Sequence, residues 1–321
     1  MDRHLLPGKH ALAGPLNPPA GPVASTYKTL SEVEPRIAIN AANTPGDAGS
    51  VFKIVAPGSY YLTGNVAGVA SKAGILIAAD VVTIDLMGYT LQGVAGSLDG
   101  ITTATGHKNL TVRNGMIAGW SQDGLDLTQN ASGLQIGSLT EGVQSAGNAR
   151  GFVVGSGAVM RACVASNNAG DGFVLSTGAA LQSCEAYQNT GPGILASATA
   201  SIVNCSSRLN GANGIRLLGG SVVQGCSCTD NTASGLLVQN FGCLICDSSF
   251  SFNRGDGISL QAGRNVVRGC VFYVNGTGGT GAGITVSSTQ NCRLEGNTCA
   301  SGDYGIRVTG ATATGNIIMR N

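Results

Sequence analysis

The sequence predicts an all-β fold, a single-stranded right-handed parallel β-helix of about eleven coils carrying an N-terminal arm and cap. Three periodic features predict it. A Gly followed by an apolar residue recurs at Gly74, Gly100, Gly124, Gly151, Gly172, Gly193, Gly214, Gly235, Gly257, Gly283 and Gly305, in steps of 21 to 27 residues. An Asn stands four residues before many of these glycines, and a Cys stands five before many of those Asn. Self-similarity at this period marks a solenoid.

After each Gly the apolar residues alternate, as in Phe173-Val174-Leu175 and Ile306-Arg307-Val308. That is strand periodicity with first and third side chains inward. The column Asn168, Asn189, Asn210, Asn231 and Asn253, extended to Asn275 and Asn297, is expected to stack about 4.8 Å apart as an asparagine ladder. Cys163, Cys184, Cys205, Cys226, Cys270 and Cys292, with Cys246, form a second expected column in which Cys acts as a small core residue. Three residues earlier, Met160, Leu181, Ile202, Val223, Cys243, Val267 and Thr289 mark an inward, mostly aliphatic position. A leucine-rich repeat lacks its leucine signature here, and a propeller blade needs a longer repeat. Eleven coils make a rod of roughly 50 Å.

The two ends differ from the middle. Residues 1–26 carry Pro7, Pro15, Pro18, Pro19 and Pro22 and read as an extended arm. Ser31 and Glu34 have capping-box spacing ahead of Pro35, which places a cap over the first coil. The organisation is therefore an arm and cap over 1–36 and a β-helix over 37–321. Asn321 falls in ladder register with no cap after it, so the last edge is expected to be continued or covered.

Composition narrows the function classes. Gly contributes 50 of 321 residues and charged residues only 11%, while 43% is hydrophobic, so the chain is turn-rich yet able to build a core. A net charge of +1 offers no footprint for nucleic acid. The most apolar stretch, Ala73 to Leu91, is interrupted by Asp80, Asp85 and Gly88, so no span is expected. The residues after Met1 lack the apolar run of a secretory signal.

The runs Pro57-Gly58-Ser59-Tyr60-Tyr61-Leu62-Thr63-Gly64-Asn65, Val82-Thr83-Ile84-Asp85-Leu86-Met87-Gly88-Tyr89-Thr90-Leu91 and Leu110-Thr111-Val112-Arg113-Asn114-Gly115 give the chain a family likeness. It resembles bacterial right-handed β-helix repeat proteins of the pectate-lyase-like superfamily, a group that includes NosD-like and carbohydrate-processing domains. The resemblance implies an extracellular or cell-surface location. Helices of this kind serve as lyases, glycosidases, epimerases, tailspikes and adhesins, so the fold alone does not choose. The paired-Asp and His motifs of polygalacturonases and the Tyr-Gly-Phe-Asp-Pro-His run of alginate epimerases are missing, which weighs against those two activities.

Candidate chemistry centres on Asp99, Asp123 and Asp126, in coils that also bring Lys108 and Arg150. Stacked carboxylates of this kind suit a glycosidase pair, or a lyase in which they hold Ca²⁺ and Arg150 or Lys108 takes the proton. Asp before Gly also recurs at Asp171 and Asp256, which favours turn chemistry. Glu185, Tyr187 and Arg208, from adjacent coils, have the chemistry of a sugar-binding surface. Cys226, Cys228, Cys243 and Cys246 have spacings a zinc site would need, but three of them fall in core columns. No resident metal or other cofactor is expected. Val153, Val174, Leu195 and Leu237 form an outward apolar stripe that suits packing by the chain's own arm or self-association. Three functions follow: a carbohydrate-binding or scaffolding protein without catalysis, placed first; a lyase or glycoside hydrolase on an acidic polysaccharide; and a trimeric tailspike-like receptor-binding rod.

Overall fold

The computed structural model describes residues 34–128, 137–287, 289–300 and 304–321, which form a right-handed parallel β-solenoid. Residues Arg36–Asn321 form one compact unit. The expected arm and the Ser31 end of the expected cap lie outside the described residues.

Each regular coil has three short strands, for example Phe173–Leu175, Ala180–Gln182 and Glu185–Tyr187. First strands stack into a twelve-stranded sheet, and second and third strands together form a twenty-two-stranded one. Pairing is parallel and in register from coil to coil, so Phe152, Phe173, Ile194 and Ile215 lie in one inward file. Within it the Phe152 and Phe173 rings stack at 5.1 Å.

The repeating Gly sits where the coil closes against the coil after it. A Cβ on Gly172 would lie 2.5 Å from the Gly193 carbonyl oxygen and 2.8 Å from Asn189 Nδ2, so no larger residue fits. Among the described residues there are twelve first strands rather than eleven, because the first of them, Ser50–Ile54, pairs with Ala73–Ile77 and carries Val51 in the glycine position.

Corners are made by single residues in left-handed conformation, such as Gly178, Ser183 and Gln188, with φ of 73°, 53° and 53°. Each is followed by an inward residue whose backbone N–H has no strand partner. After Gly178 the Ala179 N–H bonds the Ser176 carbonyl of its own coil at 3.2 Å, whereas at many other corners the next coil supplies the acceptor. The Asn168 N–H donates to Asn189 Oδ1 at 3.2 Å, Cys163 N–H to Cys184 Sγ at 3.4 Å and Ala200 N–H to Ser221 Oγ at 3.0 Å. Ladders therefore run at all three corners, the one at the first corner beginning only with Ser221.

The columns differ in membership from the sequence reading. Asn297 does not continue the asparagine ladder; its Oδ1 accepts the Cys270 N–H, which puts it in the column of Cys163 to Cys226, and Asn321 follows it there. Cys292 belongs with Cys243 and Asn265 at the corner before, and Cys246 faces outward while Ser248 takes the column position. The aliphatic file likewise passes through Ile245 and Leu294 instead of Cys243 and Thr289. Two facts explain these shifts. Successive corners are five residues apart on both sides of the Cys column, so a Cys-to-Asn interval of five cannot say which corner it describes. The column also selects for a small hydrogen-bond acceptor, which Cys, Ser and Asn all provide. Asn148, by contrast, joins the ladder ahead of Asn168, and its Oδ1 accepts the Trp120 N–H.

All ten cysteines are unpaired and nine are buried. Among the described residues no helix is long and apolar enough to cross a membrane.

Asn210 accepts from the Asn189 N–H and Nδ2 and donates to Asn231 and Ala186. Asn210→Ala is therefore expected to destabilise the protein by roughly 1–3 kcal/mol for each buried group it strands. Cys205→Ser, which keeps an acceptor in place, should cost much less; chemical denaturation of the two variants measures the difference.

Candidate functional site

The residue before the repeating Gly has an outward place at the start of each first strand. Here consecutive coils present Asp99, Asp123, Arg150 and Asp171 in one column. Asp123 and Arg150 are direct register partners, and the Gly100 and Gly151 N–H groups bond the Asp123 and Asp171 carbonyls. Asp99 and Asp123 are thus one coil apart, about 4.8 Å along the axis. Asp126 lies three residues further along the same strand, beyond inward Leu125.

Asp99, Asp123, Asp126 and Arg150 line an open cleft of 320 Å³ with Ser121, Gln122 and Ala149. Arg150 clamps Asp123 with two bonds, Nε to Oδ1 at 2.8 Å and a terminal nitrogen to Oδ2 at 2.6 Å. Asp99 Oδ1 accepts the Asp123 backbone N–H at 2.9 Å. Asp126 accepts from the Thr128 N–H at 2.7 Å and from the Thr128 hydroxyl. Asp99 is 7% exposed, and burial pushes its carboxyl up to about 6. The bond from Asp123 N–H opposes that rise, and the charges of Asp123 and Asp126 add to it. Burial likewise raises the Asp171 carboxyl, against the pull of Arg150 and Arg216.

Lys108 is not part of the cleft. Its backbone N–H bonds Asp80, which also holds His107 Nδ1 at 2.9 Å. Glu185, Tyr187 and Arg208 do come together, on the third strands and hence on a different face. Arg208 Nε bonds Glu185 Oε1 at 2.8 Å, and its guanidinium lies 4.2 Å from the Tyr187 ring centre. The guanidinium thus occupies the groups that would meet a sugar. Val153, Val174, Leu195 and Leu237 form one outward file with Arg216 between the last two, and Val153 is buried.

Among the described residues no three His, Cys, Asp or Glu side chains are grouped to hold a metal ion. Neither the calcium arrangement of Asp99, Asp123 and Asp126 nor the zinc arrangement of Cys226, Cys228, Cys243 and Cys246 is formed. Cys226 and Cys243 stand at different corners, and Cys228 faces the core between Ser207 and Phe250.

Asp85 gained no role from sequence. It is buried and accepts from Arg113 Nε at 3.0 Å, Arg36 at 3.4 Å and the Met87 N–H at 3.0 Å, a set that fixes the early coils. Arg113 is its register partner, so counting coils outward from Asp85 would have found the pair. Asp256 repeats the cleft motif in reduced form: its Oδ1 accepts the Ala282 N–H at 2.9 Å and Arg307 at 3.1 Å.

A family model described as the right-handed beta helix region matches residues 150–298. Among solved structures, the chain is similar to the A-module of mannuronan C-5 epimerase AlgE4 of Azotobacter vinelandii, with a TM-score of 0.67 and 17% identity over 82% of this chain and 87% of that one. It is also similar to the A-module of mannuronan C-5 epimerase AlgE6 of the same organism, with a TM-score of 0.54 and 16% identity over 82% and 86%. At such identities the likeness is one of fold. No curated protein matches the sequence.

The raised Asp99 carboxyl has a consequence for stability. The folded protein holds this proton more tightly than the unfolded chain, so its contribution falls as pH rises from the ordinary carboxyl range to about 6. Asp99→Asn keeps a side-chain acceptor for Asp123 and removes the buried charge. It is expected to stabilise by roughly 1–2 kcal/mol above that range and by nothing below it. Denaturation at the two pH extremes checks both halves.

Proposed function

We propose that this right-handed parallel β-helix acts on a polysaccharide at the Asp99, Asp123, Asp126 and Arg150 cleft, with Asp99 transferring the proton. One observation carries the reading: two stacked carboxyls in one open cleft have opposite surroundings. Asp99 is buried and holds its proton to about 6, while Asp123 is clamped by a guanidinium. Carboxyls whose surroundings separate their protonation are how a fold assigns an acid and an anionic partner. Asp99 would protonate the departing glycosidic oxygen as the bond breaks, Asp123 or Asp126 would face the developing positive charge on the sugar ring, and water would add to that carbon and return its proton to Asp99.

Charge bears on the substrate. The cleft holds three carboxyls against one guanidinium already paired, which disfavours a polyanion while all three are ionised. An acidic glycan fits better once Asp99 is protonated, and a neutral one fits at either state. The likeness of fold to polysaccharide-acting modules agrees with a glycan substrate, and such a substrate implies an extracellular or surface location.

A second reading, glycan binding without catalysis, is favoured by the bond from Asp123 N–H to Asp99, which Asp256 repeats with Ala282. That repetition is a structural bond from one coil to the next, and it would account for Asp99 without a reaction. The two readings separate in a panel of acidic and neutral polysaccharides followed by reducing ends, 235 nm absorbance and retention. Catalysis predicts product whose rate falls as pH rises through about 6 and which Asp99→Asn abolishes without loss of stability. Retention with no product on any glycan would leave the binding reading standing.

A further inference from the structure

A second groove, of 520 Å³, lies at the opposite end of the first strands from the acidic cleft. Its walls come from the turns after Leu236–Val238, Ile258–Leu260 and Ala282–Ser287, and its lining includes Gln239, Phe241, Gln261, Arg264, Gln290 and Asn291. Asp123–Asp126 is the fourth first strand and Ile258–Leu260 the tenth, so the two sites lie roughly 30 Å apart along the axis.

Three properties of this groove belong together. Phe241 is 63% exposed, whereas Phe152, Phe173, Phe250 and Phe272 are packed into the solenoid. A bare ring beside polar groups is a platform for the C–H face of a pyranose. The polar lining is dominated by planar amides, which bond neighbouring hydroxyls in pairs, together with Arg264 and Thr289. No carboxylate is in that lining among the described residues, and Gln239 Oε1 ties a second guanidinium, Arg216, to its edge at 2.7 Å.

Arg264 stands at the left-handed corner before Asn265 with φ of 58°, where Gly157, Gly178, Gly242 and Gly315 have φ of 69°, 73°, 78° and 66° and Thr199 and Asn291 both have 59°. A left-handed residue is the rule at these corners, and glycine is the residue that adopts it at least cost.

The geometry points to a binding site for a carboxylate-bearing oligosaccharide, with Phe241 stacking on a sugar ring, the amides bonding hydroxyls and Arg264 pairing with a uronate carboxylate. It rests on the reading of the chain as a glycan-acting protein and adds an anchoring site away from the chemistry. The opposite charge of the two sites gives the anchor its use: Arg264 and Arg216 attract a polyanion that the three carboxyls of the cleft would repel.

Calorimetric titration with tetragalacturonate at neutral pH tests this. The wild-type protein should bind it; Phe241→Ala and Arg264→Gly should each weaken binding by about tenfold or more, and the methyl-esterified tetramer should bind as weakly. Arg264→Gly should also match or exceed the wild-type melting temperature, since it relieves the left-handed residue. No binding by the wild-type protein, unchanged binding in both variants, or equal binding of the methyl ester would overturn the assignment. Asp99→Asn separates the two sites. If product formation depends on Asp99 while Phe241→Ala binds as the wild type does, the groove is excluded and the cleft stands. If tetragalacturonate binds through Phe241 and no glycan yields product, the groove stands and the cleft reading falls.

Discussion

Everything in this solenoid depends on satisfying one inward backbone N–H at each corner. A chain that turns through a single left-handed residue leaves the next amide pointing into the core, where an unbonded donor is expensive. Bonding it from the following coil gives the corner side chain its structural role. Such a side chain is small enough for the crowded interior and accepts a hydrogen bond; at the first corner Ala158 and Ala179 instead bond their own coil. Strand pairing, file stacking and the narrow choice of Gly, Asn, Ser and Cys follow from that requirement.

The fold was legible because this requirement is written in residue identity. Gly151 through Gly235 at constant spacing, with Asn168 to Asn231 beside them, could describe only stacked coils. Membership of the ladders was harder to read. Cys292 and Asn297 reproduce the interval of Cys163 and Asn168 one corner earlier, and only the hydrogen bonds of Cys270 and Asn316 show which corner they occupy. Val51 hid the first coil by replacing the glycine on which the pattern depends.

The site was legible in part, for a related reason. Asp99, Asp123 and Arg150 share the position before the repeating Gly, so the repeat itself predicts that they stack. What the repeat cannot convey is depth, and depth is what raises the Asp99 carboxyl. Nor can it show that Arg208 closes upon Glu185 and Tyr187, because that outcome depends on where long side chains lie between coils. Outward residues on this rod are governed by neighbours one coil away as much as by neighbours in sequence.

The asparagine ladder also has a direction. From Asn168 through Asn189, Asn210, Asn231 and Asn253 to Asn275, every Nδ2 donates to the Oδ1 of the coil after it, with no reversal. The amide dipoles are therefore aligned head to tail inside a medium that screens them poorly, as peptide dipoles are in an α-helix. Although built wholly of strands, the rod has an electrical axis, with partial negative charge toward its early coils and partial positive charge toward its late ones.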